Sequence, residues 1–538
     1  MKRKPPIVKS VPHMGWSNTL KFRNFSIIFT IFFTFTITEA KAGKSSKVAT
    51  AKKVHELKTS SSNVSAKTKP EDGFEKSIVQ IKVSFQEPDY ISPWKKKNPR
   101  VRRGVGIVVD GEKILVPAQI LQYSTLVEVK KFSSYAETKA TIFRIDPETN
   151  LALLKVDEKG FFQDLKPSEF QTSISYPKQI SIYQLDNSGS IQSATGALLS
   201  LDLDLYPQGQ IELPILDVNS TETLNGNGEV IVENGKVGGI LFDFSGDKNA
   251  GRAIPSFLIR KFLGLSGNSQ IAYKGFRHRP VTDEATKAYY GINGKNEGIL
   301  VAEILPGSSA DGVLKPGDVI LEFGGKKIDS KGYFEHPSYG KQVLSFLAHI
   351  GDEFGYEVGK NIPVSILREK KKIEVNLPLK PFPYTSIRIP HRDPSNRPDF
   401  YLDGGFLFVD LSENYLLEWG KDWRSRIDKK LLYLYDYHKF RSSGDNEGRI
   451  VLLSQVIPDE SNNGYHEVFA RILESVEGAP VLSVKDLMRK VKESKKNYIS
   501  IVLDDGTDII LNKAELANTN ARISAQYKIP LSSMGERK

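Results

Sequence analysis

The chain has 538 residues, 39% hydrophobic and 26% charged, with a formal net charge of +11 and no cysteine. That length exceeds one compact core and predicts roughly two to four domains. The missing cysteine excludes disulfides, thiol catalysis and lipid attachment at an N-terminal cysteine. Much of the positive charge lies in the N-terminal tail, with no recognised motif, so it reads as a solvated tail and not as a nucleic-acid surface.

In chain order, Lys21 and Arg23 precede an apolar run over residues 25–37, and Ala40-Lys41-Ala42 follows with small residues where a signal peptidase reads. The run is short for a membrane span and suits a signal-peptide core. Residues 1–42 are therefore expected to be a cleaved signal, with an uncleaved anchor as the alternative. The protein is expected to be exported, to the periplasm or cell envelope if its source is bacterial. Membrane association is expected only through this segment if it stays uncleaved. Residues 43–75, rich in Lys, Ser and Ala, read as a disordered linker.

From Ser77 the pattern becomes one of short strands. Residues 78–83 alternate, and residues 105–109 and 113–116 flank Asp110-Gly111, a hairpin turn signal. Further strands are expected near residues 126–129, 140–143, 151–156, 230–232 and 237–242, with a closing helix over 254–263. Many short strands with turn signals suggest a β-barrel domain. Leu201-Asp202-Leu203-Asp204-Leu205 alternates strictly, so it predicts a strand with both aspartates on the wet face and not a catalytic carboxylate pair. A second unit begins near Ile271, and a third runs from about Pro383, ending in a helix near 484–492 and a hairpin around Asp504-Asp505-Gly506-Thr507.

Several segments carry a resemblance: Ser92-Pro93-Trp94, Asp146-Pro147-Glu148-Thr149-Asn150-Leu151-Ala152-Leu153-Leu154, residues 306–321, and Leu452-Leu453-Ser454-Gln455-Val456 followed by Gly464-Tyr465. In this order and spacing they resemble the HtrA/Deg family of serine proteases with PDZ domains, most like the plant-type Deg branch with two C-terminal PDZ-like units. The resemblance covers roughly residues 76–530. It implies a mainly β chain: a trypsin-like double β-barrel domain (76–267, degenerate) followed by two PDZ-like α+β domains (268–382 and 383–538).

The family's catalytic histidine lies in a stretch like "ILTNNHVV". Here Ile114-Leu115-Val116-Pro117-Ala118-Gln119-Ile120-Leu121 stands there, with Gln119 at the histidine position. An amide is no base near neutral pH. The family's aspartate opens "DLALL"; here it is Asn150, which lacks the carboxylate that stabilises an imidazolium. The family's serine lies in "GNSGGP"; counting back from Gly235 puts Gly226 or Asn227 at that position, and neither has a hydroxyl. No histidine occurs between His55 and His278. Ser220, Thr221 and Thr223 are nearby but have no base.

PDZ domains add a ligand strand to a sheet edge and capture its carboxylate on backbone N–H groups. The resemblance places that loop at Tyr273-Lys274-Gly275-Phe276. Gly275 would admit a close ligand backbone, Phe276 would line the side-chain pocket, and free apolar C-termini are the expected ligands. Other patterns read as ordinary structure. Gly104-x-Gly106 lacks the third glycine and following helix of a nucleotide loop. Asp504-Asp505-Gly506-Thr507-Asp508 has Asn512 where a calcium loop needs glutamate. The histidines at 278, 336, 349, 391, 438 and 466 lack metal-ligand spacing.

The expected function is non-catalytic: a chaperone-like or scaffold protein binding C-terminal or unfolded protein segments, with no metal, no cofactor and no nucleic acid. By resemblance it forms a homo-oligomer, a trimer or larger. The alternatives are an active serine endopeptidase with displaced catalytic residues, and a structural or surface interaction protein with closed PDZ grooves.

Overall fold

The computed structural model describes residues 73–533 apart from 133, 187, 266–268, 293–296, 393–397 and 442–447. The expected signal over residues 1–42 lies outside the described residues. Of the expected linker, the last residues depart from expectation. Phe74 is buried and its ring meets Tyr183 edge-on at 5.0 Å, because an aromatic at the edge of the apolar run gains more from burial than from solvent.

The first barrel comprises β1 (Ile78–Phe85), β2 (Arg100–Val109), β3 (Lys113–Pro117), β4 (Ser124–Lys131), β5 (Thr138–Asp146) and β6 (Leu151–Val156), closed in the order β1-β2-β3-β6-β5-β4. The second comprises β7 (Lys178–Leu185), β8 (Ile191–Leu205), β9 (Glu212–Ser220), β10 (Val230–Glu233), β11 (Lys236–Ser245) and β12 (Ala250–Pro255), closed in the order β10-β11-β12-β9-β8-β7. Closure removes free sheet edges. The β2–β3 hairpin forms as expected, but its left-handed residues are Gly111 and Glu112, one place beyond Asp110. Helix α1 (Ser256–Leu263) starts two residues later than the sequence predicts, since Ile254 and Pro255 still pair with Ile240 and Gly239. On β8, Leu201 is buried while Asp202 and Asp204 face solvent, and Asp204 pairs with Arg252 at 2.5 Å.

Between the barrels lies a shared core. Ile107, Leu115, Leu151 and Leu153 of the first pack with Tyr206, Leu213, Ile240 and Phe242 of the second. The strand ends around this core carry the candidate site.

The next sheet contains β13 (Phe276–Pro280), β14 (Ile299–Ile304), β15 (Val319–Phe323), β16 (Lys326–Lys327), β19 (Asn361–Arg368) and β20 (Lys371–Pro378), with β13 at one end of the order β13-β14-β15-β19-β20. The hairpin of β17 (Tyr333–His336) and β18 (Gly340–Val343), and helices α2 (Glu284–Tyr290) and α3 (Leu344–Ile350), accompany it. The C-terminal sheet runs β21 (Phe400–Asp403), β22 (Phe406–Asp410), β23 (Val451–Val456), β24 (Arg471–Val476), β26 (Tyr498–Leu503) and β27 (Asp508–Asn512), with β25 (Ala479–Pro480) beside β24. Its helices are α4 (Glu413–Leu416), α5 (Trp423–Arg426), α6 (Lys429–Tyr437), α7 (Val484–Glu493) and α8 (Leu516–Tyr527).

Candidate functional sites

Strand β3 ends at Pro117, and the next residues, Ala118–Leu121, form one tight turn that carries Gln119. The β5–β6 connection delivers Asn150, which takes a left-handed backbone (φ 54°) suited to an Asn. The two residues clasp each other. Ala118 N–H donates to the Asn150 carbonyl at 2.8 Å, Gln119 N–H donates to Asn150 Oδ1 at 2.9 Å, and Asn150 Nδ2 donates to Gln119 Oε1 at 3.2 Å. Gln119 Nε2 then donates to the Phe242 carbonyl of β11 at 2.5 Å. Asn150 is 1% exposed. The result is a chain of amides with donors and acceptors matched and no group that takes a proton near neutral pH.

The loop between β9 and β10 meets the same strand. Gly226 has φ 68°, and a Cβ built on it would lie 2.6–2.7 Å from backbone atoms of Asp243 and Phe244. A serine there would collide with main chain, which cannot yield as a flexible side chain can. Asn227 is held differently: its carbonyl accepts from Val105 N–H at 2.9 Å. Gln119, with Asn150 clasped to it, and Gly226 thus meet one stretch of β11, Phe242 to Phe244.

Glu229 is the residue that sequence reasoning passed over. It is 2% exposed, and its carboxylate accepts from Asn225 N–H and Asn227 N–H, both at 2.8 Å. Burial raises its pKa although these donors oppose the shift. An oxyanion site needs convergent N–H groups left open for substrate; here two donors of the loop are turned inward to a side chain of the protein. The legible signal was a carboxylate opening the apolar run Glu229-Val230-Ile231-Val232. Of the nearby hydroxyls, Ser220 Oγ accepts from Glu222 N–H at 3.2 Å and Thr221 Oγ1 donates to the Thr195 carbonyl at 2.9 Å.

The expected peptide-binding residues also come together. Tyr273 N–H donates to the Lys380 carbonyl at 2.9 Å, and the Gly275 carbonyl accepts from Leu305 N–H at 2.9 Å and Ser308 Oγ at 3.1 Å. Among the described residues, the N–H groups of Lys274 and Gly275 meet no acceptor of the chain. Gly275 has φ 81°, and a Cβ there would lie 2.0 Å from Ser308 Oγ. Its lack of a side chain therefore serves packing against Ser308, and a β-branched replacement would disturb the fold before it crowded a ligand. Phe276 is 2% exposed. Lys274 is buried, donates to Ser345 Oγ on α3 at 2.6 Å, and its ammonium is pushed down to about 8 by burial. Tyr273, Lys274 and Phe276 line a cavity of about 250 Å³.

The acidic C-terminal turn holds no metal-like constellation. Asp504 pairs with Lys430 at 2.6 Å, Asp505 with Arg471 at 3.2 Å, and Asp508 accepts from Ser500 Oγ at 2.7 Å. Among the described residues no group of three or more His, Asp or Glu is placed to hold a metal ion.

Two six-stranded barrels with a shared core, followed by two smaller α+β sheets, define a trypsin-like body carrying PDZ domains. A PDZ-domain family model matches residues 280–332, and a second PDZ-domain model matches residues 389–534. Putative protease Do-like 13 of Arabidopsis thaliana is 26% identical over 461 residues, covering 84% of this chain and 87% of that protein. Putative protease Do-like 12, mitochondrial, of the same plant is 25% identical, covering 84% and 85%. Among solved structures, the HtrA-type protease AlgW with decapeptide aligns with a TM-score of 0.43 at 17% identity, over 57% of this chain and 96% of that one. The chain is a homologue of the HtrA/Deg-family proteases with PDZ domains.

Proposed function

We propose that this protein is a non-catalytic member of that group, which holds C-terminal or unfolded segments of other proteins through its first PDZ domain as a chaperone-like or scaffold protein. The observation that carries the reading is the amide clasp of Gln119 and Asn150 on the Phe242 carbonyl, beside a Gly226 whose neighbours leave no room for a nucleophile. Hydroxyl nucleophiles need an adjacent base, and this clasp supplies none. The unpaired N–H groups of Lys274 and Gly275 beside a cavity support the peptide-binding half. We place the domain limits at 76–267, 268–382 and 383–538. A relative named as mitochondrial supports an address outside the cytosol, reached through the N-terminal segment. Homo-oligomerisation, as a trimer or larger, belongs to the same proposal.

The test is labelling of purified protein with a fluorophosphonate probe alongside casein digestion. No labelling and no digestion are expected. Labelling of one serine, lost when that serine is substituted, would establish instead an endopeptidase with displaced residues.

A further inference from the structure

The cavity beside the expected carboxylate loop has an unusual wall for a site meant for an apolar terminus. Lys274 is 7% exposed, and its ammonium has Ser345 Oγ at 2.6 Å as its hydrogen-bond partner. Lys439 lines the same cavity. Its ammonium lies 5.5 Å from the Tyr435 ring centre and 5.8 Å from that of Phe440. Among the described residues neither ammonium has a carboxylate within ion-pair distance. Glu303, which also lines the cavity, is paired with Arg277 at 2.7 Å; Glu212, an exposed lining residue, acts on Lys274, and Glu413 and Glu148 act on Lys439, all from beyond ion-pair distance.

His349 of α3 adds a third group. It is 1% exposed, its Nδ1 lies 2.9 Å from the Glu212 carbonyl, and its Nε2 is buried without a partner. With the carbonyl accepting from Nδ1–H, Nε2 is a bare acceptor. Burial and the Lys274 charge hold this ring neutral, with a pKa of about 3. The cavity thus offers two cations and one acceptor within about 250 Å³. That is below the roughly 300–1,000 Å³ of small-molecule sites, and suits one terminal residue of a chain.

We infer that the cavity selects polypeptides whose last residue is acidic, with the Lys274 and Lys439 ammoniums taking its two carboxylates. A cation taken from water and left without a counter-ion is costly, and a ligand carboxylate offsets that cost where an aliphatic side chain does not. The inference rests on the peptide-binding reading above and changes the apolar terminus expected from sequence to an acidic one.

The test uses the full chain and fluorescence anisotropy with one decapeptide in four forms: ending in Glu, in Gln, in Val, and in Glu with an amidated terminus. Free glutarate serves as competitor. The Glu-ended peptide is expected to bind at least tenfold tighter than the Gln-ended, Val-ended and amidated forms. Lys274→Met is expected to shrink the Glu-over-Gln preference below threefold, and Lys439→Met to reduce it in part. Thermal melting of both variants confirms folding, and the more exposed Lys439 keeps the test valid if Lys274→Met does not fold. Equal binding of Glu- and Gln-ended peptides, or a preference that survives both substitutions, overturns the acidic selectivity while leaving peptide binding standing. Glutarate competing as strongly as the peptide overturns the polypeptide as occupant. Failure of all four peptides to bind removes the peptide-binding reading itself, and this inference with it.

Discussion

Glu148 offers the sharpest test of how the barrels and the C-terminal unit are joined. It sits in the turn before β6, is 5% exposed, and accepts from three donors. Its Oε2 takes Gln210 N–H at 2.8 Å and Ile211 N–H at 3.0 Å from the second barrel, and its Oε1 takes Tyr384 Oη at 2.5 Å from the stretch leading to the C-terminal sheet. Burial pushes its pKa from 4.5 up to about 7, the Asp146 carboxylate adds to this, and the donors only partly oppose it. Because the folded-state pKa exceeds the unfolded one, the folded form holds the proton more tightly. The group is neutral in both states below about 4.5, and stability falls as pH rises from there to about 7. At about 1.4 kcal/mol per pH unit, the gap between 4.5 and about 7 amounts to about 3 kcal/mol.

Glu148→Gln keeps the geometry and removes the charge. The amide oxygen can accept both backbone N–H groups while the amide nitrogen donates to Tyr384 Oη. Hydrogen exchange of the segment containing Gln210 and Ile211 reads the opening of this contact. At pH 8 the variant is expected to exchange roughly a hundredfold more slowly than the parent, since each 1.4 kcal/mol is tenfold. At pH 4.5 the two are expected to agree within a few-fold. Comparing both proteins at the same pH cancels the intrinsic exchange rate. A ratio that stays constant between pH 4.5 and 8 would refute the reasoning, because it would mean that Glu148 titrates alike in the closed and open states.

Restoring the expected triad with the serine at the first of its two candidate positions, by Gln119→His, Asn150→Asp and Gly226→Ser together, should yield no casein hydrolysis, since the Asp243 and Phe244 backbone fills the space a side chain at 226 needs. Hydrolysis that disappears when the 226 change alone is reverted would contradict this. Gly275→Ala should destabilise the chain by about 1–3 kcal/mol through overpacking against Ser308. A melting temperature equal to the parent's would show that the loop can yield. Lys261 of α1, 3% exposed, pairs with Asp352 beyond α3. Lys261→Met should cost about 3–5 kcal/mol by leaving that carboxylate unpaired, with partial recovery on adding Asp352→Asn. Urea unfolding measures both, and an unchanged midpoint in the single variant would count against a structural ion pair.

Local pattern was enough to read much of this molecule. Alternation and turn residues located the six strands of the first barrel, because a strand with one face in a core must alternate whatever lies across from it, but in the second barrel they marked only parts of β8, β10 and β11 and missed β7, β9 and β12. Gln119, Asn150 and Gly226 or Asn227 stand out in the sequence because none of these side chains is a base or a nucleophile. Tertiary structure decided what those positions do instead. That the amide of Gln119 ends on Phe242 and that Gly226 faces the backbone of Asp243 both depend on β11, which is distant in sequence from Gln119 and Asn150. The same holds for Lys274. In the sequence it is one lysine among many, and only its enclosure by α3, and by residues as far away as Lys439 and Phe440, makes it a buried cation at the wall of a cavity. Hydrophobic periodicity is written within a few residues, whereas burial of a charge is set by chain segments that meet only after folding.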